Sequence, residues 1–312
     1  MKTSISGRDL LTLGDLTPDE VMLVLDTAIR MKGRRAVGNC AREFECKAAA
    51  LIFQKPSMRT RVSFEVACGR LGIQPIVLAG TDSAFSRNET VHDTTKVLER
   101  YVDVIVIRTF DQALLEEMAE VASVPIVNAL TDDHHPCQGL ADLLTIREHL
   151  GHLEGVRFAY VGDGNNMAHT YLLAGALTGM HVTCACPDGF MPRPAVVERA
   201  REIAVTSGAE LAVVNDPREA VAGANVIATD TWASMGQEDE HAQRKKAFEC
   251  FTVDSTLLSL ADSGALFMHC LPAHRGEEVL DEVIDAPCSI VFDEAENRLH
   301  AQQALLSLLL GE

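Results

Sequence analysis

The chain has 312 residues, enough for two domains of ordinary size, and 47% of them are hydrophobic, enough for real cores. A formal net charge of −18 argues against nucleic acid as a partner, because a phosphate backbone needs a basic face. There is no apolar stretch long enough to span a membrane, and residues Met1 to Asp9 carry no apolar signal core.

Thr17-Pro18-Asp19-Glu20 reads as a capping box with proline at the first helical position, opening a helix to about Lys32. Strand-like runs follow at Lys47–Phe53, Gln74–Ala79, Val104–Arg108 and Pro125–Ala129, with helical patterns between them, the first of these from Arg61 to Leu71. A helix over Gln138–Leu150 ends in a loop, Gly151 to Gly155. A second series then begins: Arg157–Val161, His181–Cys186, Glu210–Val213, Asn225–Ala228 and Ala265–His269, again separated by helices. A final helix covers roughly Ala295 to Leu310. Nine cysteines without a CxxC pair suit reduced thiols in a cytoplasmic enzyme, and Cys184-x-Cys186 on one strand face suits packing better than metal binding.

Two successive βα series imply an α/β chain of two doubly wound parallel-sheet domains, 1–150 and 151–294, with the helix over 295–312 packing back on the first. Such sheets bind ligands outside the carboxyl ends of their strands. The unusual polar residues fall there: Ser57 to Arg61 after the first strand, Arg108 at the end of the third, His135 to Gln138 after the fourth. Asn165-Asn166, Asp230 and His269 to Pro272 follow strands of the second series. An active site in the cleft between the domains is the expectation.

Ser57-Met58-Arg59-Thr60-Arg61 is the most informative stretch. It sits at a strand-to-helix turn, where free N–H groups and the helix dipole favour an anion. Arginine adds a planar fork that matches phosphate oxygens in pairs. In a chain this acidic, such a cluster reads as a local site, although an ordinary capped helix with solvated arginines is the plainer alternative.

The run Phe53 to Glu65 resembles the carbamoyl-phosphate signature of the aspartate/ornithine carbamoyltransferase family. His135-Pro136-Cys137-Gln138-Gly139-Leu140-Ala141-Asp142 is similar to its HPxQxLxD element. Asp230-Thr231-Trp232-Ala233-Ser234-Met235-Gly236 resembles the DxWxSMG loop of the ornithine branch, His269-Cys270-Leu271-Pro272 its HCLP element, and Glu296 to His300 the start of its last helix. These motifs stand in family order over nearly the whole chain. The resemblance implies that Ser57, the backbone of Met58, Arg59, Thr60 and Arg108 hold the phosphate of carbamoyl phosphate. It implies that His135, Gln138 and Arg298, with the carbonyl of Leu271, hold the carbamoyl group. Asp230, Asn166, Ser234 and Met235 would hold L-ornithine, and Cys270 would lie beside the carbamoyl carbon and the incoming amine. The implied reaction is direct attack of the ornithine side-chain amine, giving L-citrulline and phosphate with no cofactor and no metal. A homotrimer, or a multiple of trimers, is implied as well.

Two departures stand out. Position 58 is most often Thr in the family and here is Met, which loses a hydroxyl but keeps the N–H. The segment Ser86 to Thr94 resembles the loop that a neighbouring subunit lends, without the usual residues around Arg87. Other acceptors, putrescine or an acylated ornithine, define related enzymes. From other classes, Gly162-Asp163-Gly164-Asn165-Asn166-Met167 is a near miss of a dinucleotide fingerprint. His134, His135, His269 and Cys270 could on paper serve a zinc hydrolase, and a silent binding paralogue would keep the fold alone.

Overall fold

The computed structural model of the protein describes residues 4–36, 42–79, 89–233 and 241–311. The chain divides into two compact units, Met1–Leu144 with Glu296–Glu312, and Thr145–Ala295. The division falls inside one helix, Pro136–Leu150, and inside another, Val291–Leu310, rather than in the loop after Leu150. Among the described residues no helix is long and apolar enough to cross a membrane.

The first unit opens with helix α1 (Pro18–Ala36). Its capping box is reciprocal: Glu20 N–H donates to Thr17 Oγ1 at 3.3 Å and Thr17 N–H to Glu20 Oε2 at 2.9 Å. There follow β1 (Ala48–Phe53), α2 (Met58–Leu71), β2 (Gln74–Ala79), α3 (Val91–Leu98), β3 (Val104–Arg108), α4 (Gln112–Val121), β4 (Ile126–Leu130) and α5 (Pro136–Leu150). The strands form one parallel sheet in the order β2-β1-β3-β4. Ile52, Ile105, Ile107, Leu115, Met118 and Ile126 form its core, each side chain contributing about 1.5–3 kcal/mol on burial.

The second unit carries β5 (Arg157–Val161), α6 (Asn166–Thr178), β6 (His181–Ala185), α7 (Pro194–Ser207), β7 (Leu211–Val214), α8 (Pro217–Val221) and β8 (Val226–Thr229). It continues with α9 (His241–Ala247), α10 (Ser255–Leu258), β9 (Leu266–His269) and α11 (Asp281–Ile284), and enters α12 (Val291–Leu310). Its sheet is parallel throughout, ordered β7-β6-β5-β8-β9. Val161, Ile227, Trp232, Phe248 and Phe267 centre its core.

The later part of α12 belongs to the first unit, where Gly7 N–H donates to Leu309 O at 2.9 Å and Ser6 Oγ to Gly311 O at 2.5 Å. Sequence and structure differ mainly at helix starts. α2 begins at Met58, not Arg61, because Ser57 caps it: the Ser57 side chain accepts from Thr60 N–H. α5 begins at Pro136, whose missing N–H suits a first turn. α12 begins at Val291, with Asp293 and Glu294 in its first turn.

Candidate active site

In the first sheet chain order reverses between β1 and β3, which is where a doubly wound sheet opens a crevice at its carboxyl edge. Phe53 and Arg108 are register partners on the last rung of that pair, and Gln54 N–H donates to Arg108 O at 2.9 Å. The turn from β1 into α2 and the Arg108 side chain therefore leave the sheet side by side.

Ser57 accepts Thr60 N–H at 3.2 Å, fixing the first turn of α2. The Met58 side chain is 72% exposed, so its contribution to any anion is its N–H group. Arg59 is half-buried, whereas Arg61 lies on the surface and donates to Glu65 Oε1 at 2.6 Å, one turn along the helix. The expected pair of guanidiniums at this turn is thus one guanidinium, Arg59. The other arginine of the cluster comes from α12. Arg298, buried, donates through Nη1 to Gln138 Oε1 at 2.7 Å and through Nη2 to Thr60 Oγ1 at 3.3 Å. Gln138 in turn donates to Asp142 Oδ1 at 2.7 Å, so its amide is held at both ends.

His135 lies at the start of α5. Its carbonyl accepts the N–H groups of Gln138 and Gly139 at 3.0 and 3.1 Å, closing the first turn of the helix. Burial, reinforced by the positive charges of Arg298 and Arg108, holds the imidazole pKa well below its usual value. A neutral ring beside two guanidiniums is a hydrogen-bond donor that carries no charge of its own. Sequence reasoning passed over Lys55. Its ammonium is buried, pairs with Asp132 and lies 4.1 Å from the centre of the Phe110 ring. Burial pushes its pKa down, against the pull of Asp132.

In the second sheet the reversal lies between β5 and β8. Asp230, directly after β8, is the convergence point. Its Oδ1 accepts Thr231 N–H at 2.8 Å and Cys270 Sγ at 3.2 Å, and its Oδ2 accepts Asn165 Nδ2 at 2.9 Å. The residue that touches it from the β5 turn is therefore Asn165, the N-cap of α6, whereas Asn166 is the buried first residue of that helix. Ser234 and Met235 lie outside the described residues.

The segment after β9 is held from behind. Leu271 N–H donates to His269 Nδ1 at 2.9 Å, which puts the ring proton on Nε2, 3.2 Å from Glu278 Oε1. His269 N–H donates to Glu294 Oε2 at 2.8 Å. His269, Glu278 and Glu294 are all fully buried. Leu271 has φ 56°, a left-handed conformation that costs a residue with a side chain on the order of 1–3 kcal/mol and persists only where neighbours enforce it. Glu278 and Glu294 carried no pattern of their own in the sequence; only contact with His269 reveals them.

The dinucleotide reading fails on geometry. Gly164 N–H donates to Phe190 O at 2.8 Å, and a Cβ at Gly164 would stand 2.3 Å from Met191 C and Pro192 N. The glycine is needed for close approach of the chain's own backbone. Asp163, on the same turn, pairs with Arg244 at 2.7 Å. Burial pushes the Asp163 carboxyl up to about 6, opposed by Arg244 and aided by Asp230.

Each unit thus presents one kind of group at its strand ends: cations and N–H groups on the first, a carboxylate with amide and thiol partners on the second. Comparison with known proteins matches that division. Residues 8–148 match the carbamoyl-P binding domain of aspartate/ornithine carbamoyltransferase, and residues 154–309 match the Asp/Orn binding domain. The ornithine carbamoyltransferase of Acidothermus cellulolyticus is 54% identical over 97% of this chain and 96% of its own length. That of Pyrococcus abyssi is 51% identical over 100% of this chain and 98% of its own. The solved ornithine carbamoyltransferase of Pyrococcus furiosus superposes with a TM-score of 0.96 at 49% identity, covering 99% of this chain and 98% of that one. The chain belongs to the aspartate/ornithine carbamoyltransferase family.

Proposed function

We propose that the protein transfers the carbamoyl group of carbamoyl phosphate to the side-chain amine of L-ornithine, giving L-citrulline and phosphate. The observation that carries the acceptor assignment is Asp230, a carboxylate at the reversal of the second sheet with Cys270 and Asn165 fixed on its oxygens. It is suited to the α-ammonium of an amino acid. The relatives named above are ornithine enzymes, and their full-length likeness supports the same reading.

The phosphate is held by Ser57, Met58 N–H, Arg59, Thr60 and Arg108. A helix start with one capped turn supplies N–H groups and positive potential without reorganisation. Arg298 and His135 donate to the carbamoyl oxygen, with Gln138 holding Arg298 in place. As the amine nitrogen attacks the carbamoyl carbon, that oxygen gains negative charge and these donors stabilise it. Collapse of the tetrahedral intermediate breaks the carbon–oxygen bond to phosphate, which departs onto cations already in place. The amine must lose two protons in all, one before attack and one on collapse. With a pKa near that of lysine, about 10.4, forming its neutral state at pH 8 costs about 3 kcal/mol. Asp230 and Cys270 orient the acceptor for that loss; no covalent enzyme intermediate is required.

The protein would act as a homotrimer in the cytoplasm, in arginine metabolism, a reading that rests on family membership. The functional test is citrulline formation from carbamoyl phosphate and ornithine by the purified chain. Turnover supports the reading, and binding of both substrates without product would reduce the protein to a binding paralogue.

A further inference from the structure

Cys270 and Leu271 are held by a chain of hydrogen bonds that ends on a carboxylate with no part in the chemistry proposed above. Leu271 sits at φ 56°, and its N–H donates to His269 Nδ1 at 2.9 Å. An imidazole nitrogen that accepts carries no proton, so the ring is neutral with its proton on Nε2. That proton points at Glu278 Oε1, 3.2 Å away, and both side chains are fully buried. His269 N–H donates to Glu294 Oε2 at 2.8 Å, so the main chain of the same residue is held as well.

Glu278 is itself fixed. Glu277 N–H donates to His274 O and Gly276 N–H to Val279 O, each at 2.9 Å, in a turn that needs Gly276 at φ 86°. Val253 N–H donates to Glu278 O at 2.9 Å and fastens the end of that turn. Glu278 Oε1 accepts His274 N–H in addition to the His269 ring, whereas Oε2 has no hydrogen-bond partner among the described residues. Two donors thus converge on Oε1, and only an acceptor satisfies that position.

We propose that Glu278 is a positioning residue for carbamoyl transfer: it fixes His269 as the Nε2–H tautomer, which keeps Nδ1 an acceptor for Leu271 N–H and so keeps the Leu271 carbonyl and the Cys270 thiol in place. The inference rests on the carbamoyl-transfer reading, in which that carbonyl holds the carbamoyl group and that thiol lies on Asp230. Without an acceptor at Oε1 the ring is free to carry its proton on Nδ1. Nδ1–H would then face Leu271 N–H, donor against donor, and the left-handed leucine would lose the contact that enforces it. A shift of about 1 Å at the reacting group is enough for roughly a 10²-fold loss of rate. The phosphate-holding residues belong to the first unit, so affinity for the donor should not follow.

The test compares wild type, Glu278→Gln and Glu278→Leu by ¹⁵N NMR of the histidine-labelled full chain and by steady-state kinetics. Wild type should show His269 as the Nε2–H tautomer. In Glu278→Gln, His274 N–H still demands an acceptor, so the amide oxygen takes the place of Oε1; the tautomer should persist and kcat stay within about fivefold of wild type. In Glu278→Leu the tautomer should change and kcat fall about 10²-fold, with KM for carbamoyl phosphate within about threefold. An Nδ1–H tautomer or an imidazolium in wild type would overturn the proposal, and that readout needs no variant to fold. So would a Glu278→Leu enzyme, folded by circular dichroism, with wild-type kcat. Glu278→Gln as slow as Glu278→Leu would also overturn it, assigning the effect to the charge. The nitrogen spectra need no turnover: a wild type that forms no citrulline refutes the carbamoyl-transfer reading, and the spectra still decide the tautomer.

Discussion

Arg298 donates to Gln138 at 2.7 Å across 160 positions of sequence, and it is this contact that ties the last helix to the start of α5. The same guanidinium reaches Thr60 on α2, so three separate elements converge on one buried cation. An arginine enclosed in this way is placed for a ligand at the strand ends of the first unit rather than for a surface ion pair.

Replacing it by a neutral isostere in length, Arg298→Met, is therefore expected to reduce kcat/KM for carbamoyl phosphate by about 10²-fold or more, the usual consequence of losing one donor to a developing oxyanion. Steady-state kinetics on a variant with unchanged circular dichroism checks it. A loss of stability without a loss of kcat/KM would mark Arg298 as structural.

Arg59→Ala should act on the donor substrate alone. A half-buried guanidinium at the capped start of α2 contributes about 1.5–3 kcal/mol through charge-assisted hydrogen bonds, or roughly tenfold to a hundredfold in carbamoyl phosphate binding. Arg61→Ala should change little, because Arg61 already pairs with Glu65 on the surface. Calorimetric titration of both variants separates them; equal losses would remove the distinction.

Much of this arrangement was legible in the sequence. The parallel strands follow from short apolar runs bounded by turns, and the capping box at Thr17 is written in its residues. What periodicity could not show are contacts made across the fold. Asn165 and Asn166 are identical as residue types, and only the N-cap geometry of α6 decides that Asn165 reaches Asp230. Glu278 and Glu294 look like surface acids in a chain with many, yet both are buried on His269. The stretch at Gly162 is only a near miss of a fingerprint in the sequence, and the structure gives the reason for its glycine: Gly164 admits a backbone, and that backbone is the chain's own. α8, α10 and α11 are too short for any helical period to register.

pH dependence follows from His135. Its folded pKa lies below the unfolded value of about 6.5, so between the two the unfolded chain binds the extra proton. The resulting stability is fully present above about pH 6.5 and is lost as pH falls below it. Urea titrations of wild type and His135→Gln should converge towards acid pH relative to their difference at pH 7.5 to 8, on the order of the buried-group effects above. A difference that is flat from pH 8 to pH 5 would place His135 in a solvated setting.

Asp230→Asn should weaken ornithine and spare carbamoyl phosphate. The amide removes the charge that faces an α-ammonium and turns a donor towards Asn165, Thr231 or Cys270, all of which now donate to the carboxylate. A fall of about 10²-fold in kcat/KM for ornithine corresponds to roughly 3 kcal/mol. Carbamoyl phosphate affinity measured alongside should match wild type; a parallel loss of both would mean that the variant has lost its fold.

The most direct measurement is kcat/KM with carbamoyl phosphate and four acceptors side by side: ornithine, putrescine, N-acetylornithine and aspartate. A buried carboxylate makes the α-ammonium obligatory, since an acceptor lacking it leaves that charge unpaired. Ornithine should exceed putrescine and N-acetylornithine by about 10²-fold or more, with aspartate unused. Equal use of putrescine and ornithine, or preference for aspartate, would contradict the assignment of Asp230 to the acceptor.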